Sequence, residues 1–199
     1  MELMARYPDK HFNLAIVDPP YGINRSKNFG LKKFGWKQYK IKDWDNEIPS
    51  PEYFKELFRV SQNQVIWGGN YMVQYLQPSM GWIFWDKGQR EFSTSDGELA
   101  YTSFQKKLKV IDFSRAEAMI DNGVNKIHPT QKPIYLYKFI LQHYALPGDL
   151  ILDTHGGSFS SAIACLEYDF ELIACEIDKD YFEAGIKRIK NHLAQTKLF

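Results

Sequence analysis

Leu14-Ala15-Ile16-Val17-Asp18-Pro19-Pro20-Tyr21 is the stretch on which the reading of this chain turns. Its apolar half has the length and character of a buried strand, predicted over residues 12–17. An acid, two prolines and an aromatic ring follow at the strand's C-terminal end. In open α/β sheets, ligands and chemistry collect at that edge. The diproline fixes two φ angles and removes two N–H donors, so nearby carbonyls can face a substrate instead of a ladder. An acid, rigid carbonyls and a flat ring suit a planar base that carries an amino group. The blander reading of the same residues is a strand-ending acid and a proline turn.

Outward from this stretch, strand and helix patterns alternate. Residues 64–67, 82–85, 149–153 and 171–177 read as strands, and 98–104 with 108–113 as a hairpin-like pair. Ser50-Pro51 opens a helix to about residue 60, with proline in its first turn. Residues 133–144, 159–168 and 180–194 have helical spacing, residues 71–76 form a short helix, and 116–126 read as irregular. This alternation predicts an α/β fold, a doubly wound and mainly parallel sheet. The turns after Val17 and after Asp153 then face one crevice.

At 199 residues the chain is read as one domain spanning residues 1–199. Its two cysteines, Cys165 and Cys175, lie in apolar stretches and read as reduced thiols. No Cys/His cluster has zinc spacing, so no metal is expected. The first ten residues lack the apolar core of a signal peptide, and no apolar run reaches the ~20 residues that span a bilayer. A cytoplasmic protein without a membrane partner is the expectation.

Net charge is only +1, but the charge is unevenly placed. Of the 25 basic residues, seven fall within residues 22–42: Arg25, Lys27, Lys32, Lys33, Lys37, Lys40 and Lys42. That segment has no acid, and the rest of the chain carries 18 basic against 24 acidic residues. Phe29, Phe34, Trp36 and Tyr39 are interleaved with the cations. Such a cationic surface suits phosphate contacts, which makes Arg25, Lys27, Lys32, Lys33 and Lys37 candidate nucleic-acid contacts. The bland alternative is a solvated loop. Residues 22–48 form a connection well beyond the usual length and are expected to be mobile.

Further motifs follow in order: His128-Pro129-Thr130-Gln131-Lys132-Pro133, a strand ending at Asp153, Gly156-Gly157-Ser158, and a strand ending at Glu176. In order and spacing the chain resembles the S-adenosylmethionine-dependent DNA amino-methyltransferases, over nearly its whole length. The match is to the permuted group, in which D-P-P-Y precedes the cofactor-binding half. Trp67-Gly68-Gly69-Asn70 and residues 82–87 look like forms carried by phage and prophage enzymes.

Glycine in the turn after Asp153 permits close backbone approach, and a helix N-terminus favours carboxylates. Glu176 lies 23 residues after Asp153, a spacing that suits ribose hydroxyls. The resemblance implies that Asp153, Gly157, Ser158 and Glu176 bind S-adenosylmethionine, with His128, Thr130 and Lys132 packed beside it. It implies that Asp18, Pro19, Pro20 and Tyr21 act on an exocyclic amine of DNA, with Tyr21 stacking on a base rotated out of the helix. The absence of a Pro-Cys nucleophile motif argues against carbon-5 methylation. Adenine N6 is the expected acceptor. Cytosine N4, an RNA enzyme of similar motifs, or a catalytically weak nucleic-acid-binding module are the alternatives. Residues 88–127 offer only a short target-recognition insertion, and a homodimer is left open.

The chain departs from the family at Phe159, where Gly-Ser-Gly normally ends in glycine. A positive φ there would cost roughly 1–2 kcal/mol and weaken cofactor binding. Placement in the first helical turn would be comfortable, and this is the reading preferred here.

Overall fold

The computed structural model describes residues 1–24, 43–91, 94–121 and 126–196. Among these residues, seven strands form one sheet: β1 (Phe12–Val17), β2 (Ser61–Trp67), β3 (Trp82–Asp86), β4 (Gly97–Thr102), β5 (Lys109–Asp112), β6 (Leu150–Asp153) and β7 (Glu171–Ala174). Their order is β5-β3-β4-β2-β1-β6-β7. β1 pairs in parallel with both β2 and β6, and β6 with β7. Among the described strands only β4 is reversed, lying antiparallel to β2 and β3. This is the expected mainly parallel α/β sheet.

Helices α1 (Pro51–Val60), α2 (Arg115–Asp121), α3 (Ile134–Tyr144), α4 (Ser160–Glu167) and α5 (Lys179–Thr196) complete the fold. Two buried clusters show that the central sheet is covered on both faces. Leu14 and Ile16 pack with Val65, Trp67, Ile140 and Ala164. Ala15 and Val17, pointing the other way, pack with Phe54, Leu57, Ile66 and Leu152. Alternate residues of β1 therefore serve opposite cores, which is why its sequence is continuously apolar. Cys165 is buried and Cys175 half-buried, and both are free thiols. Among the described residues, no helix is long and apolar enough to cross a membrane.

Three expectations need correction. Residues 98–104 and 108–113 are not a hairpin: β3 lies between β4 and β5, and pairs with β5 in parallel. Strand propensity marks extended backbone but does not choose its partner. Residues 115–121 are helical, not irregular. Ser114 and Glu117 form a capping box, in which the Glu117 N–H donates to Ser114 Oγ at 3.2 Å and the Ser114 N–H to Glu117 Oε2 at 2.8 Å. Ser-x-x-Glu is a helix-start signature, and it satisfies two otherwise unpaired N–H groups.

The third correction concerns Phe159. It does not lie in the first helical turn but precedes α4 with φ 55°, in the left-handed region. Its ring is nonetheless buried, in space left by two glycines. A Cβ at Gly185 would come within 2.2 Å of the ring, and one at Gly156 within 2.8 Å. The strain is local, and burial of a large ring offsets it.

Candidate active site

β1 and β2 end side by side, and their C-terminal edge opens onto a cleft of about 1490 Å³. Among the described residues it is lined by the whole Asp18–Tyr21 turn, by Glu98 and Lys87, and by residues 129–133. The turn is held from beneath by Asp45, which is buried. Its Oδ1 accepts the backbone N–H groups of Tyr21 and Gly22 at 2.9 and 3.1 Å. Two prolines leave few donors to anchor this segment, so a carboxylate takes the first two available.

Asp18 sits in a network drawn from four segments. Lys132 Nζ donates to Asp18 Oδ1 at 2.6 Å, and Tyr21 Oη donates to the same oxygen at 2.8 Å. Lys132 also reaches Glu98 Oε2 at 3.1 Å, and Lys87 Nζ donates to Glu98 Oε1 at 2.7 Å. Among the described residues, no hydrogen bond engages Asp18 Oδ2 or the carbonyl of Pro19. Burial pushes the Asp18 pKa up, while Lys132 pulls against it and Glu98 adds to the rise. Burial also opposes the charge on Glu98, but Lys132 and Lys87 outweigh it and hold that carboxyl at about 2.

The Tyr21 ring is stacked on Tyr71, with centroids 5.0 Å apart and planes 15° apart. It also rests on Gly68, which has φ +67° and where a Cβ would fall 2.1 Å from the ring. Any side chain at position 68 would displace Tyr21.

The turn after β6 lies one strand away. Asp153 is buried, accepting the His155 N–H at 2.9 Å and the Ser161 hydroxyl at 2.5 Å. Gly157 donates its N–H to Glu176 Oε2 at 2.7 Å, and the Asp178 N–H binds the other Glu176 oxygen at 2.8 Å. The two residues expected on one ligand are thus joined directly. A Cβ at Gly157 would meet only the His155 carbonyl, at 3.8 Å, so the turn has open space beside it. Ile177, next to Glu176, is an apolar side chain fully exposed at this edge. Ser158 is buried against Ser160. His128 Nδ1 meets Thr130 Oγ1 at 3.1 Å, and its ring packs between Trp44 and Tyr181.

The structure therefore brings Asp18 and Tyr21 together with Lys132, and Gly157 with Glu176. Arg25, Lys27, Lys32, Lys33 and Lys37 lie outside the described residues, as does most of the basic segment. Sequence reasoning missed Glu98, Lys87 and Asp45. Lys87 closes an apolar strand at the same edge as Asp18, and Glu98 opens the reversed neighbour. That pairing of strand ends was the available signal.

Asp153 makes stability depend on pH. Burial raises its pKa from 3.8 to about 7, against the hydrogen bonds from Ser161 and His155. Between these values the folded state binds the proton and the unfolded state has lost it. Stability contributed by the protonated form is therefore lost as pH rises from about 4 to about 7, by up to roughly 4 kcal/mol. His155, which burial lowers from 6.5 to about 4, acts in the opposite direction over most of that window. Asp153→Asn cannot ionise, so its stability relative to the unchanged chain should improve from about pH 5 to about pH 8 in urea unfolding. A constant difference would mean that Asp153 does not titrate there.

The family model N6_N4_Mtase, described as DNA methylase, matches residues 77–187. DNA adenine methyltransferase YhdJ of Escherichia coli K12 is 36% identical over 80 residues, 40% of this chain but only 26% of that protein. The methylase YubD, from the same organism, is 22% identical over 204 residues, 95% of this chain and 86% of its own length. Among solved structures, the M1.HpyAVI–SAM complex superposes with a TM-score of 0.60 at 20% identity, over 94% of this chain and 92% of that one. The cytosine-N4-specific PvuII DNA methyltransferase also gives 0.60, at 14% identity, over 93% and 82%. These structural likenesses establish the fold.

Proposed function

The chain belongs to the N6/N4 DNA methylase family, and from that premise we propose that it transfers a methyl group from S-adenosylmethionine to the exocyclic N6 of adenine in DNA. The observation that carries this reading is the Asp18–Tyr21 turn at the cleft edge. It has one carboxylate oxygen and one proline carbonyl not engaged by any described residue.

An exocyclic amine is a poor nucleophile because its lone pair is delocalised into the ring. Asp18 accepts one amine hydrogen and the Pro19 carbonyl accepts the other. This draws the nitrogen towards tetrahedral geometry and frees its lone pair. Both acceptors stand in place beforehand and stabilise the positive charge that develops on nitrogen. The N–C bond would form as the sulfonium's S–CH3 bond breaks, the electron pair staying on the sulfur of S-adenosylhomocysteine, and the proton lost from nitrogen would pass to Asp18, whose raised pKa suits an acceptor. Pro20 holds the turn, and Tyr21 presents the ring edge of the base site.

The residues around the turn after β6 fit the cofactor. Gly157 leaves room for its amino-acid end, Glu176 has lone pairs left for ribose hydroxyls, and exposed Ile177 can cover an apolar ring. Asp153, Ser158, His128 and Thr130 support this side. S-adenosylmethionine supplies the electrophilic methyl group. Arg25, Lys27, Lys32, Lys33 and Lys37 contact phosphates in this reading, since residues 22–42 carry seven cations and no acid.

The YhdJ likeness favours adenine, and the PvuII likeness makes cytosine N4 the alternative to be tested. Mass spectrometry of nucleosides from DNA treated with the protein and S-adenosylmethionine is expected to show N6-methyladenine. N4-methylcytosine alone would move the acceptor to cytosine, and neither product would overturn the reading.

A further inference from the structure

Lys132 does not point to the cofactor turn. Its ammonium has three N–H donors, and each has a partner on the acceptor side: Asp18 at 2.6 Å, Tyr21 Oη at 3.0 Å and Glu98 at 3.1 Å. The side chain is only 5% exposed, and the rings of Tyr21 and Trp67 lie 5.4 and 5.2 Å from Nζ. Its backbone is pinned as well, because its carbonyl accepts the Ser160 hydroxyl at 2.8 Å. Glu98 is the anchor behind it. One Glu98 oxygen takes Lys132 and the other takes Lys87, so two carboxylates and two ammonium groups alternate in a neutral chain.

We infer that Glu98 and Lys132 form a positioning pair for Asp18: Glu98 fixes the Lys132 ammonium, which holds one Asp18 oxygen and keeps the buried carboxylate ionised, leaving the other oxygen for the acceptor amine. This deepens the proposed function and rests on it. It also moves Lys132 from the cofactor side, where the family resemblance put it, to the acceptor side. A buried carboxylate would otherwise take up a proton and cease to accept the amine hydrogen. A carboxylate bound through a single oxygen keeps a defined direction for the other, and misplacement by about 1 Å can cost ~10²-fold in rate.

The groups that face Asp18 are Tyr21 from its own turn, Lys132, Glu98 from β4, Lys87 behind Glu98, Tyr137 from α3 and Asp153 from β6. Of these, Lys132 lowers the Asp18 pKa and Glu98 raises it. Neutral substitutions of the two should therefore move it in opposite directions, a signature that loose packing would not produce.

The test uses the full chain carrying 13C-labelled aspartate carboxyls, with the Asp18 signal assigned through Asp18→Asn. Its titration should move up in Lys132→Met, move down in Glu98→Gln and return towards the starting value in Lys132→Arg. In steady-state assays Lys132→Met should lower kcat by about 10²-fold, while the S-adenosylmethionine Kd and the KM for DNA stay within about threefold. If Lys132→Met fails to fold, the downward shift in Glu98→Gln decides. An Asp18 titration unmoved in both neutral variants would overturn the pair, as would a Lys132→Met defect confined to S-adenosylmethionine affinity. An unaltered chain that methylates no DNA would overturn the proposed function. The carboxyl titration needs no turnover and would still decide the pair.

Discussion

Asp18→Ala is expected to lower methyl transfer by about 10²–10³-fold or more, the usual cost of removing one preorganised group from a site of developing charge. S-adenosylmethionine binding should persist, because the proposed function puts Asp18 on the acceptor amine and the Gly157–Glu176 contact is made without it. The alanine variant also strands the Lys132 ammonium with Glu98 as its only carboxylate partner among the described residues. Some loss of stability accompanies it, since a buried charge deprived of a partner is costly. Asp18→Asn separates the two effects. It keeps the shape and one acceptor oxygen but loses the charge, so it should fold better than the alanine variant and still transfer poorly. Single-turnover rates with calorimetric titration of S-adenosylmethionine provide the check. Turnover near that of the unchanged chain in either variant would remove Asp18 from the chemistry.

Phe159→Gly is expected to destabilise the protein by about 1–4 kcal/mol, even though glycine adopts the left-handed conformation without strain. Two terms oppose each other. Relief of left-handed backbone strain stabilises by roughly 1–2 kcal/mol. Deletion of a buried aromatic ring costs roughly 3–5 kcal/mol, because the surroundings only partly collapse into the space. The ring is 4% exposed and fills the hollow between Gly156 and Gly185, neither of which can extend a side chain into it. Cavity loss should therefore win. Urea unfolding monitored by fluorescence and circular dichroism measures the balance. A variant more stable than the parent would show that strain, not packing, dominates at this position.

Much of the architecture was legible locally. β1 matches its predicted limits, and α1 likewise, since a proline in the first turn and a continuous apolar run are signals that neighbouring residues carry by themselves. The alternation of strands and helices, with handedness rules for parallel crossovers, was enough for the sheet's class and for placing Asp18 and Asp153 at one edge. The positions of the Asp18–Tyr21 turn and of Asp153 were legible for the same reason, since each lies at or just past the end of an apolar strand, whereas the direct contact between Gly157 and Glu176 was not.

What tertiary structure alone decided were partners distant in the chain. Strand order was one, because hydrophobic pattern marks a strand but not its neighbour, so β5 joined β3 on the side away from β4. The left-handed conformation of Phe159 was another. Its strain is tolerable only because Gly185, 26 residues later, leaves room for the ring. The four-residue ionic chain was the third. Lys132 and Asp18 are separated by 114 positions, and Glu98 sits among polar and apolar neighbours that do not single it out. Charge pairing of this kind has no local periodicity. It follows from the low dielectric of a cleft that only the folded sheet creates, where each buried charge must find its opposite.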